Sequence, residues 1–282
     1  MRRYSKLICA LAFAAAGLSA RGATPETLSA LGRGRDLFGF GRWSDARHEF
    51  LAARESLAAD DLAERQQIDF YLAACAVELG DTDAEAMLRN FEVRYPGSVY
   101  ANDVRFSLGS YYCAAGDATR AREAFAATDY RRLTAQRRVQ YDVRMGYVAF
   151  MEGDYAEAYA HFDRVPARSE YADHATYYRA YIDYAEGRTD RAKKAFEALE
   201  RSDAYRAVVP YYLLQIEYRE GNYRYVVDHG EELARRAVPE RRAEIERVVA
   251  ESWFRLDDYN RTIEHLEAFL DAGGTADRDT DY

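Results

Sequence analysis

Glycine keeps time in this chain. It recurs at Gly41, Gly80, Gly116, Gly153, Gly187 and Gly221, with Asp257 in the seventh place, at intervals of 39, 36, 37, 34, 34 and 36 residues. Such an interval is too long for a heptad and too short for a duplicated domain, and it matches one supersecondary unit per period. Each glycine suits a helix ending in the left-handed conformation. Three residues later stands a residue able to cap the next helix, at Ser44, Asp83, Thr119, Asp190 and Asn260. The unit is therefore helix, tight turn, helix. With only five prolines in 282 residues, there are few places to break a helix, and an all-α fold is predicted.

Packing residues follow the same clock. Seven positions before the turn stand Gly34, Ala73, Gly109, Gly146, Ala180, Leu214 and Ala250, nearly all small enough for two helices to approach closely. Five positions after it come Ala46, Ala121, Ala158 and Ala192, and nine after it Phe50, Phe125, Phe162 and Phe196. Residues four apart share a helical face, so the alanine makes space and the phenylalanine fills a hole on the first helix. Trp43, Tyr155, Tyr223 and Tyr259 add an aromatic wedge two residues after their turns. One hairpin cannot bury all of this alone, whereas stacked hairpins can.

Small residue, aromatic, Gly-Asp-Tyr turn, then Ala and Phe four apart, in a unit of about 34 residues, resembles the tetratricopeptide repeat. The resemblance covers about Ser29 to Leu270. It is strong in the units turning at Gly41, Gly116, Gly153 and Gly187, and weaker at Gly80, Gly221 and Asp257. The second unit has Glu85 at the Ala position and a displaced Phe91; the sixth has Val226 and Gly230 at the Ala and Phe positions. The stretch Arg94 to Gly109, RYPGSVYANDVRFSLG, is similar to longer units of envelope proteins such as the outer-membrane assembly lipoprotein and the periplasmic cell-division coordinator. The resemblance implies a right-handed α-α superhelical solenoid of about seven hairpins, its first helices lining the concave side, and a binding rather than a catalytic role.

The chain ends read differently. Arg2, Arg3 and Lys6 precede the apolar run Leu7 to Leu18, and small residues follow at Ser19, Ala20 and Ala23, the layout of a secretory signal peptide cleaved after Ala20 or Ala23. Twelve apolar residues are too few to stay in a bilayer. Ile8 before Cys9 spoils a lipid-attachment site, which argues against the lipoprotein branch of the resemblance. The organisation expected is a signal peptide at 1–23, a repeat domain at 24–270, and at 271–282 a polar tail or the start of a further repeat. The mature protein is expected to be exported, periplasmic where there is a periplasm, and not integral to a membrane. Loss of Arg2, Arg3 and Lys6 moves the net charge from −9 to about −12. Such a surface repels phosphate backbones, so no nucleic-acid partner is expected.

No phosphate loop, Gly-x-Ser-x-Gly elbow or His-Glu-x-x-His pair occurs. No cofactor, metal or catalytic residue is expected, and the chain reads as a non-enzyme. His161, His229 and His265 all fall eight residues after their turns, where they read as solvated or edge-of-core groups too far apart to share a metal ion. Asp81, Asp83, Glu85 and Glu92 imitate a calcium loop, but Ala86 stands where glycine is needed. Cys75 and Cys113 lie inside apolar helical patterns and read as buried thiols, although export would permit a disulfide.

Aromatic residues give the functional lead. Three before the turn stand Phe38, Val77, Cys113, Phe150, Tyr184, Tyr218 and Phe254; ten before it stand Leu31, Phe70, Phe106, Val143, Tyr177, Tyr211 and Arg247; between these rows lie Tyr147 and Tyr181. On first helices these rings either pack neighbouring units together or wall a groove that holds a peptide. Tyr147, Phe150, Tyr177, Tyr181, Tyr184, Tyr211 and Tyr218 are the candidate partner-binding residues. A protein or peptide partner in the groove is the first expectation, and a glycan stacked on tyrosine the alternative. Leu266, Phe269 or Leu270 is expected to contribute to an exposed apolar edge on the last helix, one that meets another subunit, a partner or more of a longer chain.

Overall fold

A computed structural model describes residues 23–275. Of the leader at 1–23 only Ala23 is described, and the tail at 271–282 is described as far as residue 275. Within them the chain forms α1 (Pro25–Gly39), α2 (Trp43–Glu55), α3 (Leu62–Leu79), α4 (Ala84–Arg94), α5 (Ala101–Ala114), α6 (Ala118–Ala126), α7 (Ala135–Met151) and α8 (Tyr155–Asp163). It continues with α9 (Ala172–Ala185), α10 (Thr189–Leu199), α11 (Val209–Arg219), α12 (Tyr223–Arg236), α13 (Pro239–Arg255) and α14 (Tyr259–Asp271). A 3₁₀ turn at Tyr130–Arg132 precedes α7, and the described residues hold no strand.

Every expected hairpin is present. The six glycines of the ruler have φ between 72° and 80°, and Asp257, at φ 61°, is the one non-glycine with positive φ among the described residues. The backbone explains the demand. At each turn the ruler residue donates its N–H to the carbonyl three back and the next residue donates to the carbonyl five back, as in Gly153 to Phe150 (3.1 Å) and Asp154 to Ala149 (2.9 Å), or Asp257 to Phe254 (3.1 Å) and Asp258 to Trp253 (3.0 Å). This closure satisfies the last carbonyls of the first helix only when one residue turns left-handed.

The caps fall elsewhere than expected. So tight a turn lets the very next residue begin the second helix: Asp117, Asp154 and Asp258 accept N–H bonds from Arg120, Glu157 and Arg261 at 2.9, 2.9 and 3.1 Å. Ser44, Thr119, Asp190 and Asn260 sit one step inside the helices instead. Asp83 does occupy a cap position, because α4 starts two residues later after its glycine than the other second helices do. That delay rotates α4. Ala84, Leu88 and Phe91 face the core in place of Glu85 and its partner, which accounts for the displaced phenylalanine.

The small-and-large pairing holds in physical detail. A Cβ on Gly34 would lie 2.6 Å from Phe50 Cε1, and one on Gly146 would lie 2.8 Å from Phe162 Cε1, so each ring occupies the volume a side chain would need. Phe50, Phe125, Phe162 and Phe196 are fully buried, each expected to cost ~3–5 kcal/mol on truncation. Their outer faces meet the next hairpin. Phe50 stacks on Tyr71, Phe162 on Tyr178 and Phe196 on Tyr212, with centroids 4.9–5.1 Å apart. The sixth hairpin inverts the sizes: Leu214 stands at the small position and Gly230 at the large one, 3.7 Å between the leucine Cδ1 and a Cβ placed on the glycine. Val249 of α13 fills the rest, its Cγ2 standing where that Cβ would be.

The chain divides into two compact units, one running to Tyr111 and one from Tyr112, so the division falls within α5. In the first unit α1 to α4 pack in chain order and α1 also meets α3; in the second, α6 to α14 pack in chain order and α11 also meets α13. That succession is the stacking of a helical solenoid. Cys75 and Cys113 are free buried thiols, and burial pushes the Cys75 thiol up to about 12.

Two histidines are more deeply placed than the sequence suggests. His161 Nδ1 donates to Asp142 at 2.9 Å and His265 Nδ1 to Glu246 at 2.7 Å, all four side chains being buried. Both acids stand eleven residues before their turns, so the pairing is itself a repeat. Tyr130 also donates to Asp142, at 2.7 Å, tying the 3₁₀ turn to α7 and α8. His229 has Pro210 at the equivalent place and stays exposed, bonded to the Tyr225 carbonyl.

Candidate binding surface

All seven candidate residues lie in the second unit, on α7, α9 and α11, and all are half-buried. They are neither a free surface nor a sealed core. Phe150 meets Tyr181 edge-on at 5.3 Å and Tyr178 at 4.9 Å, and Tyr147 meets Tyr178 at 5.7 Å. Tyr181, Tyr184 and Tyr177 in turn surround Tyr212 at 5.8, 5.7 and 6.1 Å, and Tyr211 touches the same ring at 5.2 Å. Six of the seven thus join one aromatic band through two rings outside the set, Tyr178 and Tyr212. Tyr218 stands apart, its hydroxyl donated to Glu251.

Tyr178 and Tyr212 escape a reading of the sequence, although the signal is available, because both stand nine residues before their turns, as does Tyr71. Their faces are taken by the phenylalanines of the preceding hairpin, so this row is packing. It fixes the heights at which the half-open rings stand, since edge-to-face contacts are worth ~0.5–1.5 kcal/mol each.

The phenols are held neutral. Burial pushes the Tyr211 and Tyr178 hydroxyls up to about 12 and raises Tyr177, Tyr181 and Tyr184 as well. For Tyr218 burial acts first and the hydrogen bond to Glu251 second, both upward. Each hydroxyl therefore keeps its proton at ordinary pH and can donate or accept a hydrogen bond. Arg219 lies over Tyr184 at 4.3 Å and Arg241 over Tyr211 at 5.2 Å, so cations border the band in a chain of net charge −9. Among the described residues no group of three His, Cys, Asp or Glu is placed to hold a metal ion. No described helix is long and apolar enough to cross a membrane.

Seven hairpins, each closed on a left-handed residue, with glycine packed against phenylalanine in the first and fourth and the sizes inverted in the sixth, make the geometry specific. Its fold is TPR-like. No family profile matches the sequence, and no curated protein matches it. Solved structures similar to the TPR-like chain include a tetratricopeptide repeat protein from Parabacteroides merdae ATCC 43184, at 13% identity and a TM-score of 0.48, with 91% of this chain and 96% of that one covered. The TPR domain of P58(IPK) is similar at 17% identity and a TM-score of 0.33, covering 87% of this chain and 73% of that one. The TPR-like assignment rests on the hairpins of this chain itself.

The three residues offered for an apolar edge on α14 differ in exposure, Leu266 being half-buried. Leu270 and Ile263 are more than half exposed, but Phe269 is buried. Gly274 covers it: the chain turns left-handed at Gly273, Gly274 donates its N–H to the Phe269 carbonyl at 2.9 Å, and a Cβ on Gly274 would run into the ring.

Proposed function

We propose that this chain is a non-covalent binding scaffold of the bacterial cell envelope, exported by its N-terminal leader, which holds a protein or peptide partner on the aromatic faces of α7, α9 and α11. The observation that carries the reading is the band itself. Its six rings are locked from behind by Tyr178 and Tyr212 yet remain half-open, a rigid, low-entropy surface with neutral hydroxyls for backbone groups and ring faces for apolar side chains.

The test separates surface from packing. Tyr147→Ala and Tyr181→Ala are expected to weaken recovery of a partner by cross-linking in native envelopes while the folded state persists. Tyr212→Ala should unfold the second unit, because its ring carries the stack on Phe196. Equal capture by the two surface variants would end the reading. A glycan in place of the captured protein would move it to sugar stacking. Export has its own check, since mass analysis of the envelope protein should find the chain starting at Arg21 or Thr24. Within the same reading, self-association through α14 depends on Ile263 and Leu270, so light scattering on Leu270→Glu is the informative measurement. Phe269→Glu would report only on folding.

A further inference from the structure

A cleft of about 720 Å³ opens where the α10–α11 connection, the end of α12 and the start of α13 converge. It shares only Tyr211 with the aromatic band. Its apolar floor includes Val208, Leu233, Val238 and Ile245, and its rim carries Arg206, Arg236 and Arg241. The lining has no carboxylate among the described residues, against the trend of a sequence with 48 acidic and 39 basic residues. We propose that this cleft binds an acidic peptide segment of a partner protein, its carboxylates meeting the three arginines while an apolar side chain between them enters the floor.

Three physical points favour that occupant. First, the arginines are available. Arg206 pairs with Asp203 at 3.3 Å, and Arg236 pairs with Glu232, all four side chains being well exposed. Such pairs are worth less than ~1 kcal/mol and can be exchanged for a ligand carboxylate. Arg241 rests on the Tyr211 ring, 5.2 Å from its centroid, an arrangement that leaves guanidinium donors at its edge. Secondly, the first turns of α11 and α13 both border the cleft and add partial positive charge. The C-terminal turn of α12 is there too, but it carries Arg235 and Arg236. Thirdly, Val238 is 57% exposed and would be covered by a guest of this size, within the range of ~300–1,000 Å³ usual for ligand sites.

The experiment uses the mature chain and fluorescence polarisation with synthetic peptides. One has three glutamates around a Leu-Phe pair, one has lysines in place of the glutamates, and one keeps the glutamates but has serines in place of Leu-Phe. Only the first is expected to bind, more weakly as salt rises. The combined variant Arg206→Gln, Arg236→Gln, Arg241→Gln should lower its affinity roughly tenfold or more. Val238→Glu, a single change at an exposed site, should do the same without touching an ion pair. Binding of the lysine or serine peptide as tightly, or undiminished binding by both variants, would overturn the proposal. So would displacement of the peptide by inorganic phosphate or decanoate at peptide-like concentrations, which would make the cleft a small-anion or fatty-acid site. Self-association removed by the same variants, with no peptide bound, would assign it to a second copy instead. If the envelope partner is lost with Tyr147→Ala and kept by the arginine variant, the scaffold reading stands and the cleft proposal alone falls.

Discussion

Gly146 shows how much of this fold hangs on the absence of an atom. The Phe162 ring lies where its Cβ would be, with backbone packing behind the glycine and Tyr178 stacked beyond the ring. Neither side can give without breaking another contact. Gly146→Ala is expected to destabilise the second unit by about 1–3 kcal/mol, measurable as a lower urea midpoint at unchanged slope. Asp257 is the opposite case. It holds a left-handed conformation that costs an ordinary residue ~1–2 kcal/mol, so Asp257→Gly should raise stability by about 1 kcal/mol in the same measurement. A lower midpoint would mean that the bond from the Tyr259 hydroxyl to Asp257, at 3.3 Å, outweighs the strain.

At the scale of the element, α13 and α14 are joined by a switchable pair. Burial alone would lower the His265 value, but the hydrogen bond and charge of Glu246 and the nearby Glu231 raise it above the ordinary 6.5. Arg242 approaches Glu246 at 3.8 Å and Arg261 approaches Glu231 at 3.9 Å, so both acids are shared with arginine. A histidine raised in the folded state contributes stability fully below about 6.5, the value it has unfolded. That contribution disappears as pH rises through the folded value. Hydrogen exchange of α14 is therefore expected to speed up, beyond the intrinsic increase, between mildly acidic and mildly alkaline solution. His265→Gln should flatten the change. A variant with the same pH response as the parent would remove the pair from the account.

At the scale of the whole chain, seven turns are legible in the sequence because each needs one residue type at one backbone angle, and a period of about 36 residues repeats that need. The small row and the phenylalanines are legible for the same reason. The cap positions are not, since the glycine turn is tighter than three residues, and neither is the rotation of α4, which depends on a start delayed after Gly80. The band is readable from Tyr147, Phe150, Tyr181 and their fellows, but Tyr178 and Tyr212, which hold it, are hidden because a ring whose face is taken by a phenylalanine and one whose face is free look alike in sequence. The cleft is invisible, as Arg206, Arg236 and Arg241 belong to no period. The inverted pair of the sixth hairpin bears on something else, the traffic of whole modules. Gly230 accepts Val249 and Leu214 replaces the missing ring, so this hairpin is keyed to its successor as the fourth and fifth are not. Replacing the fifth hairpin by a copy of the fourth is expected to leave a cooperative fold, whereas replacing the sixth by that copy should drive a phenylalanine into Val249 and lose it, as calorimetry would show. Duplication or loss of repeats in this lineage would then be tolerated on one side of Gly221 and blocked on the other, giving the array a fixed end and a growing one.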